Sequence, residues 1–252
     1  GLVIITADDP DMHSSQNEQD SRWYADFARV PCLEPATQQE AYEMAREAFD
    51  VSERFGVPVV LRLVTRLSHS RTTVDVREGR GQNPIARARR RDAWILLPAN
   101  ARAQWRGLLA RQRDIAAWSD DSPWNTLRLN PHRTDLGIIT TGIARNYLRE
   151  NLDDLGWAPS HLHIGAYPAP PHLLRELVGH VQRVLVLEDG QPFIERQLRG
   201  LFPPSVQVMG RVSGEVRTAP LPLPEATEAT PTRSAANTEP ETTEPTRTEP
   251  TT

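Results

Sequence analysis

Apolar runs alternate with amphipathic segments over the first part of the chain. Residues 2–7 and 57–64 are almost entirely apolar, as expected of buried parallel strands, and a short strand over 31–35 lies between them. A short helix is predicted after a polar loop that runs to about Asp20, because Trp23, Phe27 and Ala28 have helical spacing. A longer helix is predicted from Thr37 to Gly56, because Thr37 followed by Glu40 has the capping-box pattern and glycine suits a helix C-terminus. This order predicts a parallel α/β unit.

A second α/β unit is predicted after an interruption. Residues 65–91 are polar and rich in arginine and glycine, and a helix follows over 99–118. Strands are then predicted at 136–140, 161–165, 181–188 and 206–208, with helices at 143–155, 171–179 and 191–201. From residue 215 the chain becomes a tail rich in threonine, proline and glutamate, which we expect to be disordered. The predicted boundaries are 1–66, 67–134, 135–214 and 215–252.

Composition excludes several kinds of chemistry. All 29 basic residues are arginine and the net charge is −4, so neither a Schiff-base lysine nor a general nucleic-acid footprint is expected. Cys32 is the one cysteine in the sequence, which rules out an intrachain disulfide and a cysteine-ligated cluster within this chain. No apolar stretch has the length of a membrane span. We therefore expect a cytoplasmic protein that binds neither membranes nor nucleic acids.

A dense polar loop follows the first apolar run and is the leading candidate for a site. Open α/β sheets place binding loops at the carboxyl ends of their strands. The candidates for contact with substrate or cofactor are His13, Ser14, Ser15, Gln16, Asn17, Gln19 and Asp20. Their alternative roles are local capping and loop hydrogen bonding. Asp8, Asp9 and Asp11 raise the alternative of a metal site, although their spacing is not that of an EF-hand.

Further polar residues lie at and beyond the strand over 57–64. Arg62, Arg66 and Arg71, with His69 nearby, could hold an anionic carboxylate or a coenzyme A phosphate, or could have a structural role at the junction between domains. His161 and His163 alternate along a predicted strand and share one face. Without a third ligand nearby they are expected to be core or interface residues rather than zinc ligands.

Five motifs in the sequence resemble one enzyme family. They are Asp8-Asp9-Pro10 with residues 13–22, Leu33-Glu34-Pro35, residues 58–62, residues 65–71, and Leu187-Glu188-Asp189-Gly190-Gln191-Pro192-Phe193-Ile194-Glu195. Over residues 1–214 the chain resembles the α subunit of indolepyruvate:ferredoxin oxidoreductase. The resemblance implies parallel sheets with flanking helices: the C-terminal half of a thiamine-diphosphate pyrimidine-binding domain (1–66), a linker and helical connection, and a transketolase-C-terminal-like domain (135–214).

The resemblance also implies an activity, cofactors and partners. Members of the family carry out coenzyme A-dependent oxidative decarboxylation of indolepyruvate and related aryl-2-oxoacids. They use thiamine diphosphate with Mg²⁺ and [4Fe-4S] clusters, and pass electrons to ferredoxin. The implied partners are the rest of the α subunit, the β subunit, ferredoxin, the 2-oxoacid and coenzyme A. By the same resemblance the polar loop lies at the mouth of the active site. There His13 would stabilise charge on the substrate oxygen or move a proton.

The chain lacks parts that the family pattern requires. The glutamate that contacts the aminopyrimidine should precede residue 1, and the segment that holds Mg²⁺ and diphosphate should follow residue 214. We therefore expect this chain to be inactive by itself. The alternative is a non-catalytic binding or assembly module, or a truncated remnant of the same fold.

Overall fold

Two mostly parallel β-sheets with flanking helices organise the chain. The computed structural model describes residues 1–81, 94–199 and 205–216. These residues lie within a single compact unit. The fold class predicted from the sequence, an α/β arrangement of parallel sheets with flanking helices, is confirmed.

The first sheet has the strand order β1-β3-β2-β7. Its strands are β1 (Val3–Asp8), β2 (Cys32–Leu33), β3 (Val59–Val64) and β7 (Ala166–Tyr167). β3 runs parallel to both β1 and β2, whereas β7 pairs antiparallel with β2. A 3-10 turn (Pro10–Met12) follows β1, and the associated helices are α1 (Arg22–Ala28), α2 (Gln38–Phe55) and α3 (Thr65–His69).

The second sheet has the order β4-β6-β5-β8-β9. Its strands are β4 (Thr126–Arg128), β5 (Gly137–Thr141), β6 (Ser160–Ile164), β8 (Arg183–Leu187) and β9 (Gln207–Met209). All neighbours are parallel except β4 and β6. The helices are α4 (Pro98–Asp121), α5 (Ala144–Leu155), α6 (Pro171–His180) and α7 (Phe193–Leu198).

The start and end of α2 follow the pattern predicted for them. The Thr37 side chain accepts a hydrogen bond from the Glu40 backbone N–H at 3.2 Å, and Gly56 ends the helix with φ +62°. The Glu40 carboxylate closes the turn by accepting from the Ala36 N–H rather than from Thr37 itself. The buried face of α2 consists of Met44, Ala48, Val51, Ser52 and Phe55. It packs against β3 and α4.

The first strand is exposed, so the prediction of a buried strand at 2–7 is wrong. β1 pairs with β3 alone and is the edge of its sheet. Ile4 is 44% exposed and Ile5 is 65% exposed. Apolar content identified the strand correctly, but burial depends on a neighbour on the outer side. The described part of the chain provides none.

Only the C-terminal part of α4 packs into the core. Ile115, Trp118 and Ser119 are buried, while Trp105 and Leu109, in earlier turns of the same helix, are exposed. The first four turns of this helix therefore present apolar side chains to solvent.

The domain boundaries stay a prediction. β7 comes from the segment predicted to be the second domain, yet it extends the first sheet. Both β4 and β7 are too short to show in the hydrophobic pattern. The arginine run at 87–91 and nearly all of the predicted tail lie outside the described residues. No helix in the described ranges is long and apolar enough to cross a lipid bilayer.

Candidate functional site

Strand ends from both sheets meet in one buried cluster of charged residues. Asp8 ends β1, Glu34 follows β2 and Arg62 lies in β3, while Glu188 directly follows β8 in the other sheet. Arg22, in the first turn of α1, reaches between them. All five side chains are almost completely inaccessible to solvent. The motifs that carry the family resemblance thus converge in space.

Arg22 joins the polar loop to the second sheet. Its Nε donates to Asp20 Oδ1 at 2.8 Å, and its Nη2 donates to Asp20 Oδ2. Its Nη1 donates to Glu188 Oε2 at 3.0 Å and to Thr141 Oγ1 at 3.3 Å, and Nη2 also donates to the Gln191 carbonyl at 2.9 Å. A planar guanidinium with five donors suits such a set of contacts, whereas an ammonium group does not.

Arg62 joins β1, β2 and the exit of β8. Its Nε donates to Asp8 Oδ2 at 2.6 Å, its Nη1 donates to Glu34, and its Nη2 donates to the Asp189 carbonyl at 3.0 Å. The Tyr167 hydroxyl donates to the second oxygen of the Glu34 carboxylate. Each buried guanidinium is therefore surrounded by protein acceptors, which is the condition for a tolerable buried ion pair.

The electrostatics of the cluster follow from burial and pairing. Burial raises the pKa of the Asp20 carboxyl, but the Arg22 guanidinium outweighs it and the net pKa is lowered. Burial, reinforced by the Glu34 carboxylate, raises the pKa of Tyr167 well above its usual range. Asp20 is therefore ionised and Tyr167 is a neutral donor at physiological pH.

Two glycines allow the backbone of the second sheet to approach the cluster. Gly142 follows β5 with φ +42°, and a Cβ there would lie 2.6 Å from the Glu34 carboxylate. Gly190 follows β8 with φ +114°, and a Cβ there would lie 2.9 Å from both Arg62 Nη2 and Asp20 Oδ2. Neither position could carry a side chain without displacing a buried charged group.

The loop that contains His13 is held by one carboxylate. Asp9 accepts hydrogen bonds from the backbone N–H groups of His13, Ser14 and Ser15 at 3.1, 2.7 and 2.6 Å, and from Thr65 Oγ1 at 2.7 Å. The Thr65 hydroxyl, with the backbone N–H groups of Ser14 and Ser15, holds the pKa of this carboxyl well below its usual range. Asp9 therefore acts as a structural anchor of the loop. Asp8 does the same at the far end by accepting from the Ser21 N–H and hydroxyl.

The predicted site residues separate into two groups. His13, Ser14, Gln16 and Asn17 are exposed, and Ser15 and Gln19 are half-buried, so the loop presents these side chains outward. Asp20 and Arg62 are buried and paired with protein groups instead. For these two residues the contacts favour the structural alternative over contact with a substrate, a cofactor or an anion. Asp8 and Asp9 are likewise engaged by protein donors, which argues against a metal site there.

Arg66 remains available at the surface beside the loop. Arg66 directly follows Thr65, whose hydroxyl contacts Asp9. The Arg66 guanidinium donates to the Tyr147 hydroxyl and lies over the Tyr147 ring. Arg71 and His69 are also exposed. Asp189 is half-buried nearby, and burial raises its pKa although the Arg62 guanidinium opposes the shift. This surface keeps the prediction of an anion site open for Arg66 and Arg71.

The two histidines of β6 are core residues. Thr140 Oγ1 lies 2.8 Å from His161 Nε2 and 3.1 Å from His163 Nδ1. Burial, with a further contribution from Arg145, lowers the pKa of His161 to about 4 and that of His163 well below its usual range. Both rings are neutral at physiological pH, as expected of structural histidines. Cys32 is fully buried, and burial raises its pKa, so it behaves as a small apolar residue.

The sequence interpretation missed Glu188, Thr141 and Tyr167 as members of the buried cluster, where the first two contact Arg22 and Tyr167 contacts Glu34. Glu188 also accepts from the N–H groups of Ile194 and Glu195 at 2.8 and 3.0 Å, and so fixes the first turn of α7. A signal was present, because Glu188 directly follows a strongly apolar strand, and a charge at a buried position must be paired. The hydrophobic pattern does not identify the partner.

The described side chains offer no ligand set for an iron–sulfur cluster or another metal ion. A [4Fe-4S] cluster requires four cysteine ligands and the sequence has one. In the described ranges no group of three or more His, Cys, Asp and Glu side chains could hold a metal ion.

Comparison with known proteins supports the family resemblance. The chain is 39% identical over 201 residues to indolepyruvate oxidoreductase subunit IorA of Methanothermobacter thermautotrophicus, which is 79% of this chain and 32% of that protein. It is 36% identical over 221 residues to the same subunit of Archaeoglobus fulgidus, covering 85% and 34% of the two chains. The chain thus spans about one third of the length of these relatives. No protein-family profile matches the sequence.

A solved structure shares the fold. The 2-oxoglutarate:ferredoxin oxidoreductase from Magnetococcus marinus superposes with a TM-score of 0.55 at 13% identity, over 87% of this chain and 46% of that one. At this identity the match concerns the fold alone. The two IorA relatives support the resemblance predicted from the sequence: about four fifths of this chain is similar to about one third of an indolepyruvate oxidoreductase subunit.

Proposed function

We propose that this chain is part of the α subunit of a 2-oxoacid:ferredoxin oxidoreductase that oxidatively decarboxylates indolepyruvate or a related aryl-2-oxoacid with coenzyme A. The observation that carries the proposal is the alignment with IorA at 39% identity over 201 residues. Because the chain spans about one third of that relative, the reaction belongs to the assembled enzyme. The β subunit, ferredoxin and the remaining α-subunit segments are its partners, and the assembly is cytoplasmic.

The contribution of this chain is an ordered polar loop that presents His13. Asp9 accepts hydrogen bonds from the backbone at His13, Ser14 and Ser15. The His13 imidazole is therefore attached to an ordered backbone while the ring itself is exposed. A histidine held in this way can donate a hydrogen bond to a substrate oxygen that gains negative charge, or transfer a proton to it. The side chains of Gln16 and Asn17 are exposed on the same loop and can hydrogen-bond a carboxylate. Thiamine diphosphate supplies the decarboxylation chemistry in the family and is held by other segments.

A non-catalytic assembly module is the second candidate. It is favoured by the buried charged cluster between the two sheets, because Arg22 and Arg62 form their ion pairs with carboxylates of this same chain. In both cases the purified chain alone should not bind thiamine diphosphate with Mg²⁺ tightly and should not turn over indolepyruvate. Calorimetric titration tests this. Binding in the micromolar range would contradict the proposal that the cofactor is held elsewhere.

A chimaera distinguishes the two candidates. The matching segment of the Methanothermobacter IorA subunit is replaced by this chain, and indolepyruvate-dependent reduction of an electron-acceptor dye is measured with the second subunit present. The enzymatic role predicts an active chimaera in which His13→Ala lowers kcat by about 10²-fold with unchanged thermal stability. His132→Ala, at another exposed histidine, serves as the control. An inactive chimaera that still assembles supports the module, and an unchanged kcat removes His13 from the mechanism.

A further inference from the structure

The N-terminal part of α4 carries an apolar surface that is largely open to solvent in the described chain, although the Arg29 guanidinium lies over the Trp105 ring at 5.6 Å from its centroid. Trp94 is 81% exposed and Leu96 is 79% exposed just before the helix, and Trp105 is 49% exposed on its third turn. Contiguous exposed aromatic and aliphatic side chains of this kind mark interaction sites on folded proteins. We call the surface formed by Trp94, Leu96, Ala101, Trp105 and Leu108 the α4 surface.

This surface borders a groove rather than a flat face. A groove of about 690 Å³ runs between α4 and the turn from α2 to β3, where Gly56 and Val57 form the opposite wall. Ile115 and Trp118, further along α4, are buried in the core of the first sheet. Towards the N-terminus of α4, a neighbouring side of the same helix lines the open groove. Tryptophan, leucine, alanine, valine and glycine make up most of its lining, which suits the apolar face of a helix or extended segment of another protein.

The positive charge around the groove indicates that its occupant carries acidic side chains. Residues 98–113 contain four arginines and no acidic side chain, and all four arginines are exposed. They are Arg102, Arg106, Arg111 and Arg113. Arg111 lines the groove itself. Tryptophan and arginine are the residues most enriched where binding energy concentrates at protein interfaces.

We propose that the α4 surface is a docking site for an amphipathic segment of a partner protein, with an apolar face for the groove and acidic flanks for the arginines. A second copy of the chain fits poorly, because two-fold pairing of this surface would oppose arginine to arginine. Tryptophan with arginine also suits a lipid surface. The apolar wall at Gly56 and Val57 is set across a groove, however, and a planar bilayer cannot fill it.

Two labelled peptides test the proposal on the intact chain by fluorescence anisotropy. Both are helix-forming, about 18 residues long, with leucines at positions i, i+3, i+4 and i+7. One has glutamate on its flanks and the matched peptide has lysine. The glutamate peptide is expected to bind about tenfold more tightly than the lysine peptide, and the difference is expected to shrink at high salt.

Variants locate the binding. Gly107 lines the groove, and a Cβ there would meet only the tip of Arg111 at 3.9 Å, so Gly107→Leu fills the groove while the helix remains intact. Gly107→Leu and Trp105→Ala should each weaken binding of the glutamate peptide by about tenfold. Arg111→Glu should reverse the preference between the peptides. Tyr24→Ala, at an exposed aromatic in a different groove, should have no effect.

Several results would overturn the proposal. They are no saturable binding of either peptide, equal affinity for both, or binding that Gly107→Leu leaves unchanged. Self-association abolished by Gly107→Leu in sedimentation experiments would instead assign the surface to a second copy of the chain. Binding of phosphatidylserine vesicles without binding of the glutamate peptide would assign it to a membrane.

Discussion

At the scale of single residues, the molecule depends on charged side chains that are hidden from water. Arg22 and Arg62 are fully buried, and each contacts carboxylates from more than one element. The position of each guanidinium is fixed by geometry as well as by charge, since all three of its nitrogens donate to protein acceptors. Small residues beside them, above all Gly190, are part of the same arrangement.

Gly190→Ala should destabilise the protein by about 2–3 kcal/mol. Alanine is strained at the positive φ of this position, and its Cβ would also clash with Arg62 and Asp20. Urea unfolding followed by tryptophan fluorescence measures the effect. Gly156→Ala is the matched control. It also has a positive φ, but its Cβ would have no neighbour within 4 Å, so its cost should be about 1 kcal/mol. Equal losses in the two variants would show that the close approach at Gly190 is unimportant.

His161 should make stability depend on pH. Its folded pKa of about 4 lies below the ordinary value of 6.5, so the unfolded chain takes up the proton first as pH falls. The contribution is complete above pH 6.5 and is lost between 6.5 and about 4, up to about 3 kcal/mol. His161→Gln should reduce the slope of the unfolding free energy against pH across this window, with the remaining slope coming from His163, whereas the exposed His172→Gln should leave the slope unchanged. A wild-type profile that is flat from pH 7 to 4.5 would contradict this assignment.

At the scale of elements, the loop after β1 is an ordered structure although its composition is that of a coil. Asp9 accepts from three consecutive loop residues and from Thr65 in α3, and Asp8 holds the end of the loop at Ser21. Backbone N–H groups directed at one carboxylate fix the loop without hydrophobic packing. The side chains beyond this anchor remain free to contact other molecules.

Asp9→Asn should loosen the loop while leaving both sheets intact. The amide lacks the negative charge that the three N–H groups and Thr65 contact, so charge-assisted hydrogen bonds are lost. Amide hydrogen exchange at Ser14 and Ser15 should accelerate by about tenfold or more, with little change at β3. Asp11→Asn, in the same turn but outside this anchor, is the control. Unchanged protection at Ser14 and Ser15 would show that the loop is held by other contacts.

At the scale of the whole molecule, the buried cluster joins two sheets that could otherwise be separate. Arg22 connects the polar loop to Glu188 and Thr141 of the second sheet, and Arg62 reaches the Asp189 carbonyl. β7 strengthens the connection by adding a strand from the later segment to the first sheet. The two sheets should therefore unfold as one cooperative unit.

Arg62→Met should lower the free energy of unfolding by about 3–5 kcal/mol, since Asp8 and Glu34 would remain buried without their cation. Calorimetry measures both the loss and the cooperativity. Arg77→Met, which removes an exposed partner of Glu43, should change stability by less than about 1 kcal/mol. If the wild-type protein unfolds in two separate transitions, the cluster does not unite the sheets.

Sequence by itself determined most of the longer elements and the resemblance to one enzyme family. Periodicity and capping residues located α2, β3, β5, α5, β6, α6 and β8 to within a few residues, because these elements are long enough to repeat a pattern. The polar motif after β1 was specific enough to indicate the kind of subunit to which the comparisons then found similarity. The capping roles of Thr37 and Gly56 at the two ends of α2 could be predicted, because capping depends on residues that are neighbours in sequence.

Tertiary structure alone decided burial and pairing. Sequence could not show that β1 is an exposed edge, that Trp105 faces an open groove, or that Asp20 and Arg62 belong to the interior rather than to a binding surface. The apolar and charged character of these residues is local. The partner of each residue depends on contacts between segments that are far apart in sequence. Arg22 and Glu188, for example, are 166 residues apart. Such contacts follow from how the two sheets pack, and no local pattern of residues encodes that packing.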